Sequence, residues 1–174
     1  MQLSYEDPQA TATGFHGQHI EVIGSVVVTA IAQAAALHVG VPVVFDATAG
    51  YADKAARAIA ATGDVTTVAA VLGVSLLDPT YPQLEAALAT DPLYRQGTLF
   101  PVIRRGRILL GSETALVKGT NPFVRFASGT GGTKLGALRA DADTATAVAA
   151  TWLKIIGSAN VVGYTYGAVV EVNL

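Results

Sequence analysis

Apolar residues in this chain gather in short β-branched runs bounded by Gly, Pro, Asn and Asp, not in long stretches with helical spacing. Residues 19–30 (HIEVIGSVVVTA) are partly alternating and predict a strand. After Gly40, residues 41–45 (VPVVF) predict a second, short strand, with Pro42 at its start or on an edge. Residues 65–77 return to β character, Gly73 marking a bulge or a close backbone approach before the Asp78-Pro79 turn. Residues 98–103 and 107–110 flank Arg104-Arg105-Gly106, which predicts a β-hairpin with Gly at the position requiring positive φ. Further strands are expected near 122–126, 135–140, 149–156 and 164–172. Two stretches carry helix signals instead. In 53–61 these are a capping Asp53, a run of Ala and a closing Gly63. In 81–90 they are Pro82 at the first helical position and Leu84 and Leu88 four apart.

Together these give a mainly β protein, a compact barrel or sandwich of eight or nine short strands with one or two short helices. Residues 1–18 are polar and without a period, and predict an extended amino-terminal arm with Tyr5 and Phe15 as isolated aromatics. Residues 19–174 then form a single β-rich domain with a small helical insertion within 53–92. No repeat or linker divides it.

Composition narrows the classes. A chain of 174 residues can bury one real core, and 51% hydrophobic against 14% charged residues suits a turn-rich β body with part of its surface covered by a partner. No apolar run approaches the roughly 20 residues that cross a bilayer as a helix. The first 15 residues lack the basic start and apolar core of a secretion signal, so synthesis in a cytosol is expected. With no Cys there is no disulfide, thiolate nucleophile or zinc-thiolate site. Charge is uneven along the chain: residues 1–91 hold nine acidic and two basic side chains, and 92–174 hold four acidic and nine basic. Such polarity can orient a subunit against a complementary partner.

Tests for chemistry return little. The loop Gly129-Thr-Gly-Gly-Thr-Lys134 lacks the order of a P-loop and of a dinucleotide fingerprint, and reads as a flexible turn between strands. His16, His19 and His38 read as surface imidazoles, because no thiolate or closely spaced carboxylate completes a metal shell. Asp141-x-Asp143 lacks the Gly and distal Glu of a calcium loop and reads as a solvated turn. No nucleophile motif is present, so no catalytic, cofactor or metal residue is assigned. The densest basic group is Arg95, Arg104, Arg105, Arg107 and Arg125. Nucleic-acid binding would want more charge and stacking aromatics, so contact with protein carboxylates from the predicted hairpin tip is the better expectation.

The carboxy-terminal third resembles the structural cement (head decoration) proteins of tailed bacteriophages. The resemblance rests on the order of Phe123-Val-Arg125, the Gly-rich loop 128–132, Gly136-Ala-Leu-Arg139, Asp143-Thr-Ala145, Trp152-Leu153 and the terminal run Val169-Val-Glu-Val-Asn-Leu174. It implies a non-enzymatic virion protein, made in the host bacterial cytoplasm. Such a protein binds the outer surface of the expanded head, bridges major capsid protein subunits and stabilises the shell, commonly as a homotrimer at threefold or quasi-threefold positions. It also implies that the arm docks on a neighbour through Tyr5 and Phe15, while Arg104, Arg105 and Arg107 touch the capsid or another copy. No nucleic acid, membrane or cofactor enters this reading. The alternative is a surface module binding host carbohydrate, and a small hydrolase using one of the three His residues stands third.

Overall fold

The computed structural model describes residues 12–20, 24–33, 36–46, 54–78, 93–129 and 134–174. In chain order the strands are β1 (Ala12–Gly14), β2 (Gln18–Ile20), β3 (Val26–Ala32), β4 (Ala36–His38), β5 (Pro42–Phe45), β6 (Ala55–Ala58) and β7 (Val71–Ser75). They continue with β8 (Leu93–Arg95), β9 (Leu99–Ser112), β10 (Phe123–Arg125), β11 (Leu138–Arg139), β12 (Ala147–Ala149), β13 (Leu153–Val161) and β14 (Tyr166–Asn173). A short helix α1 (Thr62–Thr66) and one 3₁₀ turn (Val68–Ala70) precede β7. The mainly β expectation therefore holds, with more and shorter strands than the sequence pattern resolves.

The spine is β9, at 14 residues far longer than the usual strand of about five or six. Its first half pairs with β3 and, at Val102 and Ile103, with β7; its second half pairs with β14 and β2. The path β9-β3-β6-β5-β7 thus returns to β9, while β9-β14-β13-β1 runs the other way, giving a sandwich-like body. Alternation sorts the side chains. Ala30, Ala32, Val43, Ala56, Leu72, Phe100 and Val102 form one cluster among the paired strands, closed over by Leu37 and Tyr94 of the β4–β8 pair. Ile103, Ile108, Leu110, Val124, Leu138, Trp152, Leu153, Ile155, Val170 and Val172 form the larger one. Each fully buried Leu, Ile or Phe contributes roughly 1.5–3 kcal/mol, so these two clusters hold the fold.

Several expectations need correction. There is no hairpin at Arg104-Arg105-Gly106: the chain runs straight through it as β9. Gly106 does take a positive φ of 129°, but for close approach, since a Cβ there would lie 2.8 Å from Ser25 Cβ and 3.0 Å from Ile103 Cδ1. Of the helix expected over 53–61, the described residues 54–61 are not helical. Ala55 and Ala56 are fully buried in β6, between β3 and β5, and this tertiary pairing overrides the helix propensity of an Ala-rich run. The helix forms one step later, at α1, where Asp64 accepts the backbone N–H of Ala60 and of Ala61, and Trp152 Nε1 donates to Val65 O at 3.0 Å. The run 65–77 is therefore strand only from Val71, and 19–30 is divided at Gly24 into β2 and β3.

Gly73 behaves as expected. The register with β5 shifts there, φ is +151°, and a Cβ would collide with Ile103 O. The helix expected over 81–90 lies outside the described residues. Of the predicted arm, residues 1–11 also lie outside them, and the remainder is extended on the chain's own sheet: β1 runs parallel to β13 and β2 antiparallel to β9.

Candidate functional site

The residues singled out near the carboxy terminus come together, but inside the molecule. β10 ends on Arg125, whose side chain is fully buried. Its Nε donates to Glu113 Oε1 at 3.0 Å, and its Nη2 donates to Glu113 Oε2 and to Asp143 Oδ2, both at 2.6 Å. Its Nη1 donates to Thr146 Oγ1 at 3.0 Å and to Ala127 O at 3.3 Å. Arg139, at the end of β11, donates from Nη1 to Glu113 Oε2 at 2.7 Å and from Nη2 to Asp141 Oδ1 at 2.8 Å. Two arginines are thus held by three carboxylates, a net charge of −1 that has every guanidinium edge occupied. Hydrogen bonding to Glu113 raises the Arg125 pKa above its usual value against the opposing effect of burial. Hydrogen bonding from Arg139 lowers that of Asp141.

This cluster corrects two expectations. Arg125 is not part of an exposed basic group, and Asp143 is no solvated turn residue, its side chain being 7% exposed. The turn itself is unusual: Asp143, Thr144 and Ala145 all have positive φ, at 40°, 56° and 66°. Consecutive left-handed L-residues are costly and need external support. Here Arg125 holds the Asp143 carboxylate, Asp141 Oδ1 accepts the Asp143 N–H, and Thr146 Oγ1 donates to Asp143 O. The Gly-rich loop, of which 130–133 are outside the described residues, contributes Gly129 as the cover of this cluster. A Cβ at 129 would collide with Asp143 Oδ2 and lie 2.5 Å from Thr146 Oγ1 and 2.7 Å from Arg125 Nη1.

The histidines are not surface imidazoles either. His16 is buried, accepts the Gly111 N–H on Nδ1 at 2.8 Å and stacks on Tyr164 with ring centroids 4.6 Å apart. His19 and His38 are half-buried within β2 and β4. His16, Ser112, Glu113, Lys134 and Tyr164 line a small cavity of about 120 Å³. Within this lining Ser112 Oγ donates to Thr114 O, Glu113 accepts from both arginines, and Lys134 Nζ donates to Tyr164 OH. The His-Ser-Glu grouping is therefore a packing junction between the amino-terminal strands and β9.

The expected contact residues are scattered. Tyr5 lies outside the described residues. Phe15 is 45% exposed in the turn between β1 and β2. Arg104 and Arg105 sit midway along β9, and Arg107 faces Glu171 of β14 across the sheet.

Comparison with known proteins places this architecture. The family model for structural cement proteins (E217 gp24/Pam3 gp6) matches residues 1–174. The chain belongs to this family. No curated protein matches it. Among solved structures, a chain from "The capsid of Myoviridae Phage XM1" is similar in fold. That chain is 13% identical, with a TM-score of 0.67 over 99% of this chain and 98% of that one. At that identity the likeness speaks for the fold alone. Membership in the cement family makes this a capsid-associated structural protein of a bacteriophage. Three residues within the segments that carry the resemblance, Arg125, Arg139 and Asp143, join Glu113 and Asp141 in the ion cluster.

Proposed function

We propose that the protein binds the outside of the expanded phage head, bridges neighbouring major capsid protein subunits and stabilises the shell. The observation that carries this reading is the whole-chain match to the structural cement family. The body fits the task. A clamp must not deform under load, and this one has two large core clusters and a smaller third, a spine strand contributing to all three, and a turn held by buried ion pairs. Bridging gains strength by multivalency, because a copy held at two points is released only when both contacts fail together. On this reading the active form is a homotrimer at threefold or quasi-threefold positions, assembled after synthesis in the host cytoplasm. Residues 1–11 with Tyr5, together with Phe15, reach a neighbour.

Co-sedimentation of purified protein with cognate expanded heads lacking it tests the proposal. Saturation at a fixed small ratio to the capsid protein, with raised thermal stability of the decorated heads, is the expected result. Absence of binding to intact, expanded heads would overturn it.

A further inference from the structure

Arg104 and Arg105 stand where β9 holds one residue more than its partner. Arg105 faces Val26 and Ile103 faces Val27, so Arg104 is the unpaired residue of a bulge, its carbonyl accepting the Leu174 N–H at 3.0 Å. Bulges re-aim side chains, and here they present two consecutive arginines. The two differ in setting. Arg105 is exposed, in one cross-strand row with the exposed Val26 and Asn173. Arg104 is half-buried, and its Nε is shut from water with no hydrogen-bond partner among the described residues. A guanidinium N–H in that state has lost its hydration without gaining an acceptor.

Of the four carboxylates in residues 92–174, Glu113, Asp141 and Asp143 are held by Arg125 and Arg139, and Glu171 is the fourth. Glu171 itself lies between Arg107 and Lys154 in the sheet. Beside the bulge, Val26 and Val27 are 45% and 44% exposed. The surface thus sets two arginines beside two exposed valines, and its complement is a segment bearing carboxylates among small apolar residues.

We infer that the β9 bulge is a carboxylate-docking surface for a shell subunit, in which Arg104 grips one Asp or Glu side chain as a fork and Arg105 supplies long-range attraction. Val26 and Val27 make the apolar contact. The assignment of the carboxylate to a shell subunit rests on the cement reading above; the chemistry of the surface does not. The two arginines accordingly have separate signatures. A fork held in a partly dry site is lost when Arg becomes Lys, whereas an exposed point charge is not.

The test uses the full chain and cognate expanded heads lacking it, with Arg104→Lys, Arg105→Lys and Arg105→Gln compared over a salt series. Each variant is first checked for an unchanged thermal melt. Arg104→Lys should weaken head binding about tenfold or more with the salt slope kept. Arg105→Lys should stay within about twofold, and Arg105→Gln should flatten the salt dependence. Binding of Arg104→Lys equal to that of the parent chain would overturn the inference while leaving the cement function standing. Salt-sensitive self-association lost in Arg104→Lys, with head binding intact, would overturn the shell assignment in favour of contacts between copies.

A second measurement needs neither heads nor variants. The Arg104 Nε–H resonance is followed while a hexapeptide of alternating valine and glutamate, or its glutamine counterpart, is added. Movement with the glutamate peptide alone supports the docking surface even if the parent chain fails to bind heads and the cement reading falls. No movement overturns it.

Discussion

Replacing Asp143 by Ala tests whether the left-handed turn is held by the buried cluster or stands by itself. Three consecutive residues with positive φ cost roughly 1–2 kcal/mol each relative to right-handed backbone. The substitution removes the 2.6 Å ion pair to Arg125 Nη2, the longer 3.6 Å one to Arg139 and an acceptor for Thr146 Oγ1. Glu113 still faces Arg125, so the cation is not stranded entirely. Against the ~3–5 kcal/mol typical of breaking a buried pair from one side, a loss near the lower end, about 3 kcal/mol, is expected. With a urea m-value of about 2 kcal/mol per molar, the midpoint should fall by about 1.5 M. Ala145→Gly supplies the converse. It relieves the left-handed cost at that residue but adds unfolded-chain entropy of about 0.4–1 kcal/mol, and should be neutral to stabilising by about 1 kcal/mol. In the Asp143→Ala background that gain should vanish if the turn has relaxed, so the two substitutions should not add. Urea unfolding of the four chains at one protein concentration decides the matter. An Asp143→Ala loss below about 1 kcal/mol, or strict additivity, would refute the idea that the cluster holds the turn.

Gly129→Ala should destabilise by about 1–3 kcal/mol, because the added methyl lands on the Asp143 and Arg125 side chains; a thermal melt matching the parent chain would show that the loop can lift away at no cost. Asp64 is paired in bidentate fashion with Arg57, at 2.8 Å to each oxygen, and this bonding holds its pKa below the ordinary value despite burial. Since the folded pKa lies below the unfolded one, the pair's contribution is complete above about pH 4 and is lost as the pH falls through the folded pKa. Arg57 is 37% exposed, so screening limits that contribution to about 1 kcal/mol, and the Asp64→Asn penalty should shrink toward zero in acid unfolding series. Deleting residues 1–11 should leave the melt unchanged, because β1 and β2 begin after them, while weakening binding to expanded heads; unchanged affinity would remove that segment from the contact.

The fold class was legible because β-branched runs and Gly, Pro and Asp punctuation are local signals. What failed depends on partners far away in sequence. The Ala-rich stretch around Ala55 and Ala56 favours a helix by itself, and only the strands on either side, β3 and β5, make it a buried strand in which small side chains are required. Arg104-Arg105-Gly106 breaks an apolar run with charge and Gly, the local signature of a turn. Whether the chain reverses there depends on a bulge opposite Val26 and Val27 and on Ser25 approaching Gly106, neither of which a linear pattern encodes. His16 was misjudged for the same reason, since its burial is supplied by Tyr164 and by Gly111 at the far end of β9.

The candidate site shows the same division. Arg125, Arg139 and Asp143 fall within segments whose order around a Gly-rich loop carried the resemblance, but in sequence Arg125 reads as part of an exposed basic group and Asp143 as a solvated turn, because their pairing joins separate strands and loops. The guanidinium groups of Arg125 and Arg139 find their acceptors within this cluster, at whose edge Asp141 stays 63% exposed. Arg104 differs from these two arginines, since its Nε is dry and unbonded among the described residues. Its sequence signal was the Arg104-Arg105-Gly106 break in an apolar run, which is expected to touch protein carboxylates, beside the charge excess of the second half. A charge count distinguishes scaffold from interface only after the structure has shown which charges are already paired.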